Sequence, residues 1–416
     1  MRTPSGTDGT LIGRPAILLI GILCLAIFVD VTSVFAPVAL LPFVAEGLGT
    51  SVSLVGQVSS ASILISAVIA MLIGSLVQRH GFRRLYLAGV GAMTLGSIVM
   101  ALAPNILAVL GAALLLSFAN AIVVPVALAL AATQFSANTS RRAMSYQIAC
   151  LFAAVAVGLP ACVFLSTVLG WRGAFAVLAI VPLLLVPLIA TLVPIGARDP
   201  SARFDIAKSV AEYRDLLGDP SLALMFAFQV VYVICAFGTG AYASALLVSR
   251  GYGPDALEVA FAVVGVAFIA SSVAAGEILG KVKLDLKLLV VGAAIVFCLA
   301  RGTIYVAPIS FAGILLLLAL ASLCDGFLGV AIRANVAAYD VRDRTLSMVF
   351  FAASDSFGQA SGGVVAGAVL AAGGFLAVGE LAFLVGLTAI WLPLASRRLL
   401  RPATVVARDV TRSDVR

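Results

Sequence analysis

Charge is what this chain has least of. Only 11% of its 416 residues are Asp, Glu, Lys or Arg, and a single histidine, His80, occurs in the whole sequence. A soluble domain needs a polar surface, and a chain that is 62% hydrophobic with mean hydropathy +1.18 does not have the residues to make one. The shortage of histidine removes most nucleophile–base pairs, and no cysteine pair has zinc-ligand spacing, so neither an enzyme nor a metal or other cofactor is expected. The cysteines (24, 150, 162, 235, 298 and 324) all fall inside apolar runs, which excludes a disulfide framework and fits small core residues. The net charge of +7 does not make a nucleic-acid surface, because the cations are dealt out in small groups between apolar runs. An ATP loop is excluded too. Its nearest approach, Gly276-x-x-x-Gly280-Lys281-Val282, is one residue short, lacks Ser or Thr after the lysine and follows an apolar run.

What remains is a series of long apolar runs, and crossing a bilayer takes roughly 20 such residues. Twelve candidate spans can be drawn: 15–41, 52–78, 83–103, 106–134, 144–168, 171–194, 221–248, 256–280, 285–306, 309–335, 345–371 and 375–396. Backbone groups in lipid must be satisfied within the segment, so these read as helices. The first run is too long for a signal-peptide core and reads as a retained span. With the N-terminus placed inside and the spans alternating, 23 of the 26 Lys and Arg fall on the inner side. Only Arg172 and Arg250 fall outside, and Arg301 lies within a span. That asymmetry supports twelve spans with both termini in the cytoplasm of a bacterial-type inner membrane. The longest polar break, near 195–220, divides the chain into an N-terminal bundle (1–194), a linker, a C-terminal bundle (221–400) and a tail (401–416). Within the linker, 207–217 has the spacing of a short surface helix.

The two halves echo one another. Gly47-x-Gly49 recurs as Gly251-x-Gly253, Gly74 as Gly276, and Ser117-x-x-Asn120 as Ser322-x-x-Asp325, at offsets of 202 to 205 residues. A steady offset at three places points to a duplicated six-helix unit.

The stretch Gly74 to Leu87, GSLVQRHGFRRLYL, joins spans two and three by a short basic turn. It resembles the Gly-x-Leu-x-Asp-Arg-x-Gly-Arg-Arg/Lys signature of the major facilitator superfamily. Gly74, Leu76, Arg79, Gly81, Arg83 and Arg84 fall on that pattern, with Phe82 as an insertion and Gln78 where the family has Asp. In the family this stretch is a cytoplasmic gate, and Gln78 in place of an acid implies a weaker latch. Gly170-Trp171-Arg172-Gly173-Ala174-Phe175 resembles the superfamily's Gly-Trp-Arg-x-x-Phe between helices five and six. Gly158-Leu159-Pro160 resembles part of an antiporter motif in helix five, although Ala161 and Cys162 replace its later glycines. The Arg that proton-linked members often carry in helix four is absent from Ser117 to Ala121. The resemblance implies an all-α membrane protein with 12 transmembrane helices in two pseudo-symmetric six-helix bundles. It also implies a secondary transporter, one that works by alternating access on small solutes and protons, within a lipid bilayer and as a monomer.

Charged groups deep in a span are the informative ones, because each costs about 2.5–3.5 kcal/mol at mid-depth on insertion scales. Asp30, Arg301, Asp325 and Asp355 qualify, and are the candidate proton- and substrate-coupling residues. Asp30 leads: it is near mid-depth in span one, upstream of Pro37 and Pro42, as acids are in the drug–proton antiporter branch that the chain resembles. Asp325 lies on span ten and reads either as a coupling acid or as a structural partner of Arg301 or Arg333. Asp355 has Gln359 one helical turn on, and after Asp355 come Gly358, Gly362, Gly363 and Gly367, whose small-xxx-small spacing suits close helix packing. Arg301 is most simply a counter-ion. Asn120, Gln229 and Tyr232 are the neutral candidates for the cavity lining, and Tyr232, 202 residues after Asp30, is expected to face it across the pseudo-twofold. The reading is proton-driven export of a small amphipathic metabolite or drug, with uptake on the same fold and a non-transporting scaffold or sensor as alternatives.

Overall fold

The computed structural model describes residues 14–194, 211, 214–281, 286–339 and 344–395, and among these every regular element is helical. Of the expected linker helix, 211 and 214–217 are described and helical. The rest of it, the basic turn after span eight and the tail lie outside the described residues.

Ten stretches are long and apolar enough to cross a membrane. Two of them are too long for one crossing. Thr139–Leu192 has 54 residues, about 80 Å of helix against a hydrocarbon core of about 30 Å. It reverses at Gly170, whose φ of 72° and ψ of 164° are non-helical. Leu346–Leu387 reverses at Gly374, φ 70° and ψ −167°. A positive φ of this kind strains any residue with a Cβ, so glycine stands at both turns. The contacts confirm the reversals. Trp171 packs on Gly47 beyond span one, whereas the far end of the same span, Val193, accepts a hydrogen bond from Arg83 Nε. Likewise Gly379 meets Val306 at the end of span nine, and Gly386 meets Cys298 deeper in it. Split at these two glycines, the ten stretches account for the twelve spans read from the sequence. The two ends of the bundle are called here the Trp171 end and the Arg83 end.

Several spans are bent where the sequence allows it. Span one runs Arg14–Ala39 and continues, past Leu40, as Leu41–Gly47 with Pro42 in its first turn. Span seven does the same 202 residues later, as Pro220–Ala241 and Ala243–Ser249 on either side of Tyr242. Span two breaks at Ile63. Span five starts at Ala137, seven residues before the apolar run, because a polar helix end can project into water. It then passes through a π-helical turn, Ala154–Gly158. Caps from Ser51 to Leu54 N (3.2 Å) and from Asn105 to Ala108 N (3.0 Å) satisfy the starts of spans two and four.

Buried side chains form two clusters. One joins spans one to six with the Trp171-end portions of the second half, including Tyr242, Leu257 and Leu318. The other is drawn only from 216–382. Large apolar side chains such as Leu107, Leu184, Leu288 and Leu316 stand exposed, as a lipid-facing surface requires. All six cysteines are unpaired.

The four glycines of span eleven divide their work. Gly358 and Gly362 lie against Val233 and Ile234 of span seven; Gly363 and Gly367 lie against Ser60, Gln57 and Tyr242, so the other face of the same helix meets span two. A Cβ on Gly362 would come 2.6 Å from the Ile234 carbonyl oxygen and 2.9 Å from its Cα. Backbone cannot yield as a side chain can. Gly362→Val is therefore expected to cost about 1–3 kcal/mol, read as a lowered midpoint of thermal unfolding in detergent. Gly292→Val, at a glycine with nothing within 4 Å, serves as the control. Equal midpoints for the two variants would contradict this packing.

Candidate functional site

The intramembrane acids are each held by a neutral donor from the sequence's other polar positions. Asp30 is 1% exposed, and its Oδ2 accepts from Asn120 Nδ2 at 2.8 Å, joining span one to span four. Its Oδ1 is buried without a partner. Asp325 accepts the Tyr232 hydroxyl on Oδ1, joining span ten to span seven. Asp355 accepts from Gln229 Nε2 at 2.9 Å and from Gln359 Nε2 at 2.8 Å, one on each oxygen. Asp325, Asp355, Asn120 and Gln359 are partly exposed, whereas Gln229 and Tyr232 are buried. So the acids are reachable through their own carboxylates or through the amide next to them.

Two expectations are corrected. Tyr232 does not face Asp30; its hydroxyl is committed to Asp325. The reason is that each half closes its own contact, span one on span four and span seven on span ten. Nor does Arg301 form a direct ion pair, although it lies within electrostatic reach of Asp325. Among the described residues neither Arg301 nor Arg333 forms an ion pair. Arg333 is exposed over the Phe351 ring at 5.4 Å, and Arg301 stands over Phe297 at 5.6 Å with its Nε buried and unpartnered.

The halves meet toward the Trp171 end. Ser53 Oγ donates to the Gly367 carbonyl (2.5 Å), Tyr242 Oη to the Ser53 carbonyl (3.5 Å), and Ser244 Oγ to the Val38 carbonyl (3.2 Å). Phe35 and Phe237 approach to 6.1 Å between centroids. Deeper in the bundle, the π turn of span five brings Ala156 onto Gly265 of span eight, and Phe152 lies 5.0 Å from Phe268. Beside the Phe35–Phe237 contact, reaching toward the Trp171 end, is a cavity of about 190 Å³, walled by spans one, five, seven, eight and ten and by Arg301. Sequence reasoning missed Ser53, Tyr242, Phe35 and Phe237. The small residues of span eleven were the available signal, since a helix lined with glycine on two faces needs a partner on each.

At the other end, Gly74 and Gln78 lie in the last turns of the helix Leu64–His80, which stops at Gly81. Gln78, Arg79 and Arg84 are exposed, while Arg83 bonds the Val193 carbonyl and so ties span three to span six. The basic turn thus braces its own half.

The sequence profile of the Major Facilitator Superfamily matches residues 23–339. A Pseudomonas aeruginosa protein described as "Transcription regulatory protein OpdE" is 31% identical over 170 residues, covering 40% of this chain and only 42% of that relative's length. Among solved structures, the nucleoside transporter NupG is similar with a TM-score of 0.72 at 15% identity, over 91% of this chain and 98% of that one. A bacterial homolog of the human lysosomal transporter Spinster, in an inward-facing and unoccupied conformation, gives 0.69 at 12% identity, over 96% and 98%.

If Asn120 holds the Asp30 carboxyl, removing it leaves a second buried oxygen without a donor. Asn120→Ala is expected to lower stability by about 1–3 kcal/mol, and by clearly less once Asp30 is already Ala. The coupling is read from a double-mutant cycle on thermal unfolding. Additive losses would mean the two side chains do not act on each other.

Proposed function

The chain belongs to the Major Facilitator Superfamily, and from that membership we propose that it is a proton-coupled exporter of a small amphipathic solute, working by alternating access. The two bundles, 1–194 and 221–400, would rock about the site between them, opening one end at a time. Two structural observations fit one state of such a cycle. The halves are joined at the Trp171 end by three hydrogen bonds and a ring contact, and a cavity lies among these contacts. With the cations of the Arg83 end on the cytoplasmic side, this state would face inward.

The observation that carries the proton role is Asp30. It is buried, one oxygen rests on a neutral amide and the other on nothing. A carboxyl in that setting has no cation to lock it in the charged form, so its proton would come and go with access to water. Asp325 and Asp355 would share or modulate the proton. Gly74, Gln78, Arg79, Gly81, Arg83 and Arg84 would steady the cytoplasmic face.

The regulatory role in the name of the Pseudomonas relative favours a second reading, a membrane sensor. The partly exposed acids and the cavity favour a carrier over it. Direction is separable from both: accumulation of labelled solute in inverted vesicles on imposing a proton gradient marks export, and its loss marks uptake.

Asp30→Asn keeps the side chain's shape and its bond to Asn120 but cannot exchange a proton. It is expected to abolish gradient-driven flux in proteoliposomes, leaving at most gradient-independent exchange, while the protein still reaches the membrane. Wild-type flux with unchanged pH dependence would remove Asp30 from the mechanism.

A further inference from the structure

Arg301 is the buried charge that the scheme above leaves without a task. It lies on span nine, Leu286–Val306, five residues from the Trp171 end, and is 6% exposed. Its Nε–H has no acceptor, and among the described residues no carboxylate comes within ion-pair distance. Asp325 is within electrostatic reach, but one of its oxygens is taken by Tyr232. The guanidinium is steadied on the face of Phe297, Cζ 5.6 Å from the ring centre.

Arg301 also lines the cavity between the halves. The remaining wall is mostly apolar, with Phe35, Leu159, Phe237, Phe261 and Leu318 supplying much of it. A buried cation compensated only at a distance by Asp325, on a wall otherwise apolar but for Ser244, is costly and favours an anion beside it. The edge of a guanidinium that carries Nε–H offers two parallel donors, the spacing of a carboxylate's two oxygens. The volume, about 190 Å³, sets the rest of the ligand, since an apolar cavity of about 150 Å³ admits benzene.

From this geometry we propose that the cavity binds a small monoanion: a carboxylate on an apolar body of about one aromatic ring, its head on Arg301 and its body against the rings of Phe35 and Phe237. Three intramembrane acids would by themselves favour neutral or cationic solutes. None of those acids lines this cavity, whereas Arg301 does. That this anion is also the cargo rests on the carrier reading.

The test uses the full-length protein in nanodiscs, titrated at neutral pH with benzoate and with benzyl alcohol as its uncharged counterpart. Benzoate is expected to bind the wild type more tightly. Arg301→Gln should weaken benzoate about tenfold or more and leave benzyl alcohol unchanged, since a lost charge-assisted pair outweighs a neutral one. Arg301→Lys, which keeps the charge but not the two-donor edge, should fall between. Should Arg301→Gln not reach the membrane, Arg301→Lys and the cavity-filling Phe237→Trp carry the test, and both must weaken benzoate. Equal binding of the two probes, or benzoate binding that ignores these substitutions, overturns the proposal. A flux assay separates it from the carrier reading. Arg301-dependent benzoate binding without benzoate flux in proteoliposomes supports the anion site and counts against transport; flux of the cation ethidium with no benzoate binding does the reverse.

Discussion

Lipid offers no hydrogen bonds, and that one deficit governs what the interior of this protein can contain. Every polar group on a span must find its partner on another span or remain at a cost. The apolar majority has only to pack, which small residues at helix crossings allow: Gly158 on Thr32, Gly362 on Ile234, Gly265 on Ala156. The few polar groups then become the points that fix which helix faces which. Asn120 on Asp30 sets span four against span one, Tyr232 on Asp325 sets span seven against span ten, and Gln229 on Asp355 sets span seven against span eleven.

Those pairs also expose the duplication more clearly than the glycines do. Asp30 and Tyr232 are 202 residues apart, and Asn120 and Asp325 are 205 apart. The same crossing therefore occurs in both halves, with the acid and the neutral donor exchanged between its two helices. The close approach of Gly158 to Thr32 recurs as Gly362 against Ile234, and the breaks at Leu40 and Tyr242 precede short helices of equal length. A repeat kept at the level of contacts, yet with acid and donor traded, gives two halves of one shape and different charge. Asp30 sits on the first helix of its half, and Asp325 on the fourth of its own.

How much of this could be read in advance depended on the kind of signal. Span number and turns were legible because hydrophobic length and Gly-Trp-Arg or Gly-Phe-Arg-Arg punctuation are local properties. The polar residues were legible as a set, since a charge within an apolar run is costly and stands out from its neighbours. Their pairing was not. These helices are apolar nearly all round, so no stripe marks the face turned to a neighbour; Tyr232 is bonded within its own half, and Arg301 stands without a direct ion pair. The closure by Ser53, Tyr242, Phe35 and Phe237 was invisible for the same reason: a serine or phenylalanine in an apolar run carries no sign of what it will meet.

The choice of neutral donors for the acids has a consequence for any proton that moves through the bundle. Had Asp30 been paired with an arginine, protonation would strand a buried cation, a loss that for a broken buried ion pair runs to about 3–5 kcal/mol. With Asn120 as its partner, a protonated Asp30 leaves only neutral groups behind, and the amide can keep its bond to either form through rotation of the carboxyl. Asp355, between two glutamines, has the same property. Arg301, on span nine and at the cavity wall, makes no direct pair with any of these acids, although Asp325 is within its electrostatic reach. Charge is thus arranged so that gaining or losing a proton at one place and gaining or losing an anion at another each leave a tolerable interior. Alternating between such states without unfolding is what the proposed carrier needs.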